Sequence, residues 1–402
     1  MPTLLQINVT GNSGSHGIIA DEIGLIAIKR GWRSLVAYGR WFNPSQNELI
    51  QIGSVFSVME HGLESRFLDN HGLASRIATH TFIHQIQEIK PDIVHLHNIH
   101  GYYLNYKLLF EYLNNTNIPV VWTLHDCWTF TGHCAHFVTV GCEKWKTECF
   151  NCPLKGDYPK SLMDFSRRNY ALKKALFTGN KNLHIVPVSA WLAELTKESF
   201  FKDKDIQIIH NGIDLSVFYP HPVVDRNRFR ILGVSGVWNK NKGLYDFFKL
   251  RDLLDKDKYE IVMIGLTKKQ LKDLPEGITG IERTNSVFEL SENYSSADVF
   301  VNLTYADTLP TVNMEALACG TPVITYRTGG SPEIIDDQTG WVVKQGDVKM
   351  VSSIIESICD AQSKDESKVR RIACRKRAEE YFDKDKCFEK YVSLYDKLII
   401  NK

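Results

Sequence analysis

The chain has 402 residues, of which 43% are hydrophobic and 24% are charged, as in an ordinary globular protein. This composition excludes a mainly disordered chain, a collagen-like repeat and a small disulfide-stapled scaffold. Lys and Arg total 48 against 47 Asp and Glu, and the net charge of +1 gives no global electrostatic reason to bind nucleic acid. The length favours two or three domains.

The distribution of histidine distinguishes the two halves of the chain more clearly than the distribution of charge does. Twelve of the 14 histidines precede residue 200, and only His210 and His221 follow it. Acidic and basic residues are nearly balanced in each half. The two halves are therefore expected to perform different tasks.

The start of the chain, Met1–Ile7, lacks the basic region and the long apolar core of a signal peptide. Apolar runs such as Ile261–Ile264 are too short to span a bilayer. We therefore expect a cytoplasmic protein, in which the nine cysteines are thiols or metal ligands rather than disulfides. A peripheral membrane contact stays open.

Short apolar runs alternate with longer amphipathic stretches along the whole chain. In chain order, the predicted strands are 4–9, 34–38, 93–96, 120–124, 184–188, 231–234, 260–264, 299–303 and 322–325. The clearest predicted helices are 18–29, 73–89, 244–254, 288–295 and 312–318. This alternation predicts parallel sheets with helices on both faces.

A domain boundary is predicted near residues 205–228. A short strand at 206–209 is followed by the sharp turn 210–214, by Pro220 and Pro222, and by a new strand at 231. We therefore expect one Rossmann-like domain over 1–205 and a second over 206–385, with an amphipathic C-terminal helix at 386–402. Open α/β sheets of this kind bind ligands at the carboxyl ends of their strands.

The segment 306–324 predicts a strand end, a loop, a helix and the next strand. Asp307 falls in the loop, Pro310 in the first turn of the helix, and Glu315 about one turn further on. Free N–H groups at the start of a helix favour a phosphate. Carboxylates favour sugar hydroxyls, because they accept paired hydrogen bonds.

This segment resembles the retaining glycosyltransferases of family 4. Their signature is two acidic residues eight positions apart followed by Ala-x-Gly-x-Pro-Val, matched here by Asp307, Glu315 and residues 318–323. The family usually has Glu at the first position, so Asp307 is a shortened version. The resemblance implies that Asp307, with Thr308, Leu309 and Thr311, holds the donor sugar. It also implies that Glu315 binds the nucleotide ribose.

The same resemblance implies the GT-B fold, in which two Rossmann-like domains face each other across a cleft and a C-terminal helix crosses back onto the first domain. The family places an Arg and then a Lys-Gly after the first strand of its second domain, where they clamp the donor diphosphate. Lys242-Gly243 matches the Lys-Gly, but Val237 and Trp238 occupy the expected Arg position. Lys240 is therefore expected to supply the second cation.

The loop 11–17 has the spacing G-x-x-G-x-x-G, which differs from the dinucleotide-binding G-x-G-x-x-G. The second strand also ends without the acidic residue that would hold an NAD ribose, which argues against a nicotinamide cofactor. By resemblance, Gly14 and Ser15 are expected at the donor and His16 on the acceptor side. The alternative is a tight turn that only starts a helix.

Three further histidines follow predicted strands. By resemblance, His125 faces the donor sugar and joins Asp307 and Lys242 in the catalytic set. His97 and His100 are predicted to line the acceptor side. The alternative for each is a packed structural histidine.

A cysteine-rich insertion is predicted at 127–153. Four of its cysteines, Cys134, Cys142, Cys149 and Cys152, lie within nineteen positions and end in C-x-x-C, a pattern that can hold a tetrahedral structural zinc. The alternatives are reduced thiols packed in a loop, or two disulfides formed on oxidation. A catalytic zinc that uses His133 and His136 is a further alternative.

The stretch 160–181 predicts a basic amphipathic helix. It carries six Lys or Arg among apolar residues, a pattern that suits an anionic membrane or an acceptor phosphate. The alternative is an ordinary surface helix with a solvated basic face.

Together these features predict a retaining glycosyltransferase of the hexosyltransferase type, with no cofactor required for catalysis. The expected donor is a nucleoside-diphosphate sugar and the expected acceptor a glycan or lipid-linked saccharide. The resemblance to exopolysaccharide and colanic-acid-type enzymes places this reaction in bacterial surface-polysaccharide assembly, at the inner face of the cytoplasmic membrane. The alternatives are a catalytically silent homologue that binds a sugar nucleotide or a partner, and a zinc-dependent hydrolase.

Overall fold

The computed structural model describes residues 1–222, 226–361 and 364–400. The chain forms two compact units. The first comprises Met1–His210 together with the segment from Asp385 onward, and the second comprises Asn211–Lys384.

The first unit is built on a parallel sheet of seven strands in the order β3-β2-β1-β4-β5-β6-β7. Its strands are β1 Thr3–Asn8, β2 Arg33–Tyr38, β3 Glu48–Gln51, β4 Ile93–Leu96, β5 Val120–Leu124, β6 Leu183–Pro187 and β7 Asp205–Ile206. Its helices are α1 Gly14–Lys29, α2 Val55–Leu68, α3 Arg76–Ile89, α4 Tyr106–Leu113, α5 Ser166–Gly179 and α6 Ala190–Glu198.

The second unit contains a parallel sheet of six strands in the order β10-β9-β8-β11-β12-β13. Its strands are β8 Phe229–Val234, β9 Tyr259–Ile264, β10 Ile278–Ile281, β11 Val299–Asn302, β12 Val323–Tyr326 and β13 Gly340–Val343. Its helices are α7 Leu244–Leu253, α8 Lys268–Lys272, α9 Val287–Ser296, α10 Thr311–Ala318, α11 Ser331–Ile334, α12 Val348–Ala361 and α13 Lys364–Tyr381.

The central strands are apolar along most of their length because helices cover both faces of a parallel sheet. All six residues of β1 are buried, and four of them lie beside Ile93–Leu96 of β4. Gln6 of β1 departs from the apolar pattern, because this polar side chain is fully buried.

The C-terminal helix α14, Lys384–Ile400, packs on the first sheet from Asp385 onward. Phe388, Tyr391 and Tyr395 join a core cluster with Leu4 of β1 and Val121 of β5. These aromatic rings account for much of the apolar area that the helix buries, which explains why the end of the chain belongs to the first unit.

The order of the strands reverses once in each sheet. In the first sheet the chain leaves β1 toward β2 and later returns to the other side of β1 with β4. In the second sheet β8 has the same place between β9 and β11. Loops that follow the two strands at such a switch point diverge and leave a crevice for ligands. Each sheet therefore carries one expected ligand position.

The α/β class is as the sequence predicts, and most predicted elements differ from the observed ones by only a few residues at their ends. The structure also contains elements that the pattern did not indicate, among them β3 and α2. The short strand predicted at 206–209 is Asp205–Ile206 and pairs with β6, so it belongs to the first sheet. The unit boundary thus lies after His210, within the predicted interval 205–228 and five residues beyond the domain limit at 205.

In the residues that the structure describes, no helix combines the length and the apolar character needed to cross a bilayer.

Candidate active site

Lys242 and Asp307 form an ion pair at the switch point of the second sheet. The Lys242 ammonium lies 2.7 Å from Asp307 Oδ2, and both side chains remain partly exposed. Lys242 lies in the loop after β8, and Asp307 lies in the loop after β11. The sheet topology therefore brings together two residues that are 65 positions apart in the chain.

Glycines allow the neighbouring loops to approach this pair. Gly329 has a φ of +49°, and a Cβ there would lie 1.6 Å from the Asp307 carbonyl oxygen. Gly243 has a φ of +75°, and its Cβ would lie 2.3 Å from the Leu303 carbonyl oxygen. Any other residue would need both a strained backbone and a displaced loop at these positions. Gly243 thus lets the Lys242 loop lie close to the end of β11, and Gly329 lets the loop after β12 lie close to Asp307.

Glu315 lies on the partly buried side of α10. The Tyr294 hydroxyl donates a hydrogen bond to Glu315 Oε2 at 2.8 Å. Burial raises the pKa of Glu315, while the hydrogen bonds from Tyr294 and Thr311 act in the opposite direction. Tyr294 of α9 thus fixes the orientation of the Glu315 carboxylate.

The start of α10 carries polar atoms that lack a partner. The Thr308 hydroxyl and the Asn313 Nδ2 are buried, and neither makes a hydrogen bond with the described part of the chain. Pro310 occupies the N-cap position, one residue earlier than predicted, and no side chain caps the helix. Leu309 is buried beside it. Because burying an unpaired polar group costs free energy, these atoms indicate a place for a polar ligand.

The expected second cation does not join the ion pair. Lys240 is exposed on a short 3-10 helix, Lys240–Lys242, whose start is capped by Asn239. Trp238, at the position where the family has Arg, is buried and donates from Nε1 to the Ile264 carbonyl at 2.8 Å. Trp238 is therefore a core residue of the second unit. The structure places Lys242, and not Lys240, at Asp307.

In the first unit, His97 and His125 are brought together after neighbouring strands. His97 Nδ1 lies 3.2 Å from His125 Nε2, and the two rings are stacked. The centroid of the His16 ring lies 4.5 Å from that of His125. Burial lowers the pKa of both His97 and His125 well below the usual histidine value. His97 and His125 are consequently neutral at pH 7.

His100 belongs to a different group of side chains. Its Nε2 lies 2.9 Å from Asp126 Oδ2, and its Nδ1 lies 3.0 Å from the Tyr158 hydroxyl. Although burial opposes ionisation, His100 lowers the pKa of Asp126, which also accepts from the Trp128 backbone N–H. His100 therefore tethers the insertion that begins after β5, and it does not join the hydrogen bond between His97 and His125.

Gly14 and Ser15 are the first two residues of α1 and are exposed. Gly14 has a φ of +65°, and a Cβ there would meet no atom within 4 Å. They lie after β1, at the switch point of the first sheet, as expected for a ligand loop.

Four of the five cysteines in the insertion line one small cavity. Its volume is about 20 Å³, and Cys134, Cys142, Cys149 and Cys152 all contribute to the wall. The interaction of the Cys134 thiol with Cys152 lowers the pKa of Cys152. The Cys149 sulfur accepts from the Gly132 backbone N–H at 3.3 Å. Within the described residues all nine cysteines are free thiols, and none forms a disulfide.

These thiols have the right chemistry for zinc but, as placed, do not fit the ion. No group of three or more His, Cys, Asp or Glu side chains in the described chain is arranged to hold a metal. His133, part of the alternative catalytic-zinc set, instead pairs with Asp69 at 2.6 Å. Elemental analysis of the purified protein tests the zinc prediction: one zinc per chain, lost in Cys149→Ser, would support it.

A buried lysine supplies a tether that the sequence pattern did not reveal. Lys173 of α5 is buried, and its Nζ donates to the carbonyls of Trp128 and Thr131 at 2.6 and 3.0 Å. Its Nζ also lies 3.3 Å from the centroid of the Trp128 ring. Burial lowers the pKa of Lys173 to about 7. The predicted basic face of this helix therefore lacks Lys173, which points inward and holds the insertion.

Two family models match the chain. The model described as Glycosyltransferase Family 4 matches residues 26–217, and the one described as Glycosyl transferases group 1 matches residues 228–361. Together they cover most of both units. The chain is a family 4 glycosyltransferase of group 1. It is therefore a transferase enzyme, and the alternative of a zinc-dependent hydrolase is set aside.

Curated relatives agree with this assignment. The glycosyltransferase is 26% identical over 370 residues to "Putative colanic acid biosynthesis glycosyl transferase WcaC" of Escherichia coli K12, a match that covers 86% of this chain and 88% of that protein. It is 24% identical over 182 residues to "Capsular polysaccharide biosynthesis glycosyltransferase CapM" of Staphylococcus aureus, covering 41% of this chain and 46% of that protein.

Solved structures share the fold at low sequence identity. A sucrose-phosphate synthase from Thermosynechococcus elongatus superposes with a TM-score of 0.73 at 16% identity, and both chains are covered completely. Anabaena HepE, determined in complex with UDP and glucose, has a TM-score of 0.65 at 14% identity, covering 98% of this chain and 99% of that one. The glycosyltransferase thus has the GT-B fold.

Proposed function

We propose that this glycosyltransferase moves a sugar from a nucleoside-diphosphate sugar to a hydroxyl of a glycan or lipid-linked saccharide, with retention at the anomeric carbon. The setting we propose is the assembly of a bacterial surface polysaccharide. The observation that carries the proposal is the ion pair of Lys242 and Asp307 at the switch point beside α10. An ammonium suits a diphosphate, and a carboxylate suits sugar hydroxyls. The bound UDP of HepE and the colanic acid role named for WcaC support it.

The proposal gives each group at this switch point a task. Lys242 and the free N–H groups of α10 stabilise the diphosphate as it gains negative charge, which lowers the barrier to its departure. Asp307, released from Lys242, accepts hydrogen bonds from the donor sugar together with Thr308, Leu309 and Thr311. Glu315, directed by Tyr294, accepts from the ribose hydroxyls.

The reaction requires no nucleophilic side chain. The acceptor hydroxyl attacks the anomeric carbon on the face from which the diphosphate departs, and the bond from that carbon to the phosphate oxygen breaks. The departing phosphate takes the hydroxyl proton. In this scheme the cations perform the charge stabilisation, so transfer should persist in the presence of a metal chelator.

A panel of UDP-, GDP-, dTDP- and ADP-sugars tests the donor. A donor that binds the folded protein raises its melting temperature. The donor that binds is then incubated with saccharide acceptors, and NMR of the first product identifies the anomer. A product with the donor's anomeric configuration supports retention, and the opposite configuration contradicts it. Binding without turnover on any acceptor would favour the catalytically silent alternative.

We further propose that the first unit rests on an anionic bilayer through the exposed face of α2. Its apolar side chains recur at helical spacing and are each more than half exposed: Phe56, Met59, Leu63 and Phe67. Leu162 is also exposed, and its backbone N–H donates to the Arg66 carbonyl near the end of α2. Arg66 and Lys160 are themselves exposed. An apolar helix face beside cationic side chains suits insertion at the boundary between lipid headgroups and acyl chains.

Vesicle sedimentation tests this contact. The wild type should bind vesicles that contain phosphatidylglycerol, and the double variant Phe56→Ser/Met59→Ser should bind them less. Val369→Ser/Ile372→Ser is a matched control, since both apolar residues are exposed on α13 of the second unit. Equal loss in the two double variants, or binding by neither the wild type nor the control, would contradict the proposal.

A further inference from the structure

The buried Gln6 has a fixed orientation in the first sheet. Its Nε2 donates to the Ala20 carbonyl of α1 at 2.7 Å. Since a carbonyl oxygen only accepts, this contact assigns the amide nitrogen to α1 and leaves Oε1 to face the other way. His97 Nε2 lies 3.1 Å from that oxygen. The proton shared in this second contact therefore comes from His97.

The orientation of Gln6 determines the proton positions of two rings in succession. Burial keeps His97 and His125 neutral, so each ring carries one N–H and one lone pair. With its proton on Nε2, His97 presents a lone pair at Nδ1. His125 Nε2, 3.2 Å away, must then donate the proton of that hydrogen bond. The remaining lone pair of His125 lies on Nδ1.

We propose that Gln6 and His97 are positioning residues that hold His125 in the Nε2–H tautomer, so that His125 Nδ1 meets the substrate as a hydrogen-bond acceptor. The partner is then a hydroxyl or another O–H or N–H donor, and not a carboxylate or a phosphate oxygen. The inference rests on the proposed function, because the contact of His125 with substrate is an expectation from family resemblance. It adds the reason why a glutamine is buried between the apolar residues Leu5 and Ile7 of β1.

A second hydrogen-bond chain runs beside the first and serves the C-terminal helix. His95 Nδ1 lies 2.6 Å from the Tyr395 hydroxyl, and its Nε2 lies 2.8 Å from Thr123 Oγ1. Thr123 also bonds to the Tyr391 hydroxyl. The His95 ring packs against His97 with a centroid separation of 4.0 Å, and the hydrogen bonds of His95 lead to α14 and not to Gln6. Tyr395→Phe thus perturbs a neighbouring buried ring without touching Gln6.

Nitrogen NMR of the protein labelled with ¹⁵N-histidine tests the inference directly. Long-range ¹H–¹⁵N correlations show which ring nitrogen carries the proton, and His125→Asn identifies the signals of His125. We expect protonated Nε2 and bare Nδ1 in the wild type and in Tyr395→Phe. In Gln6→Met, which removes the acceptor at similar volume, we expect this preference to be lost. A wild-type His125 protonated at Nδ1, or an unchanged tautomer in Gln6→Met, would overturn the inference.

Kinetics separate positioning from general stability. Gln6→Met should lower kcat by about tenfold, the effect of one misdirected hydrogen bond, but should cause no further loss when added to His125→Asn. A loss of the same size in both backgrounds would mean that Gln6 acts only on the fold. If the tautomer is as stated but His125→Asn transfers sugar at the wild-type rate, the proposed role of His125 fails while the assignment of its protons stands. If Gln6→Met does not fold, the wild-type spectrum still decides the tautomer.

Discussion

The two units prepare their candidate ligand groups in opposite ways. At the switch point of the second sheet, Lys242 and Asp307 are charged, partly exposed and paired with each other. At the carboxyl ends of β4 and β5 in the first sheet, His97 and His125 are buried and neutral, and the buried amide of Gln6 sets their direction. In the second unit a ligand must exchange one ion pair for new contacts. In the first unit the hydrogen-bond acceptor, His125 Nδ1, is already oriented before the ligand binds.

The difference follows from the chemistry of the side chains. Charged groups are costly to bury without a partner, so they stay near water and pair until a charged ligand displaces one of them. A neutral imidazole can be buried if both nitrogens have suitable neighbours, and burial then fixes its tautomer. Four changes to the protein test this contrast, from the largest expected effect to the smallest.

Removing the Lys242 cation should have the largest effect on activity. Lys242→Met should lower kcat by about 100- to 1,000-fold, because the departing diphosphate loses a donor that acts while its charge develops. Lys240→Met, on the same short helix but exposed, is the control and should cost much less. Steady-state kinetics with the identified donor measure both. Equal losses would show that the two lysines share the diphosphate, as the family pattern first suggested.

Crowding the loop that carries Asp307 should have the second-largest effect. Gly329→Ala combines a positive φ with a Cβ placed 1.6 Å from the Asp307 carbonyl oxygen, so we expect it to cost about 1–3 kcal/mol of stability and to weaken donor binding. Gly236→Ala is the control, since its Cβ would meet no atom within 4 Å. Thermal unfolding and donor titration measure the two effects. Unchanged donor affinity in Gly329→Ala would show that the loop can move without consequence.

The buried lysine of the first unit predicts a pH dependence of stability. The folded pKa of Lys173 is about 7 against an ordinary 10.5, so between these values the unfolded chain binds a proton that the folded chain does not. Stability should therefore rise with pH above 7, by at most about 1.4 kcal/mol per pH unit from this residue.

Lys173→Met should lose this part of the slope, and Lys174→Met, exposed on the same helix, should retain it. Denaturant unfolding at pH 7, 8 and 9 compares the three proteins. Parallel pH profiles for all three would mean that Lys173 remains charged when buried.

The smallest expected effect concerns the direction of Glu315. Donor affinity should fall as the pH is lowered through the raised pKa of Glu315, because only the ionised carboxylate accepts paired hydrogen bonds. Tyr294→Phe removes a hydrogen bond that favours the ionised form, so the midpoint of this loss should move to higher pH. Affinity at pH 7.5 should fall severalfold.

Tyr305→Phe provides the comparison for this variant, since the Tyr305 hydroxyl donates to Asp246 instead. Donor titrations across pH 5–8 with the three proteins decide the matter. If Tyr294→Phe does not shift the pH midpoint of donor binding, then Glu315 is not the group whose titration causes the loss of donor affinity.

How far prediction from the sequence reached depended on the kind of signal. The acidic pair and Lys242-Gly243 were found because they are local patterns, and the topology then placed Lys242 against Asp307. Helix α2 was not predicted because the residues that it buries, His61 and Ser65, are polar and its large apolar residues are exposed, so no apolar face marks a side packed on the core. The sequence pattern does not separate Lys173 from the other basic residues of 160–181, since nothing in its local sequence shows that its side chain is buried.

His97, His100 and His125 illustrate the limit most clearly. All three follow predicted strands, and their positions in the sequence do not show which of them meet. Which of them meet is decided by hydrogen bonds across the sheet, and His100 turns to Asp126 instead. The cysteines likewise suggested zinc by spacing alone, whereas the thiols in the described chain form a cavity without a fitted metal geometry.

The sequence alone determined the alternation of strands and helices, the presence of two α/β units and the segment that carries Asp307 and Glu315. Periodicity and short motifs act over a few residues, so they can be recognised without knowing which strands become neighbours. Only the tertiary structure decided that Lys242 pairs with Asp307, that Lys173 is buried, and that Gln6 directs His97 and His125. These contacts join residues far apart in the chain, and their energies depend on burial and orientation, which exist only once the sheets are assembled.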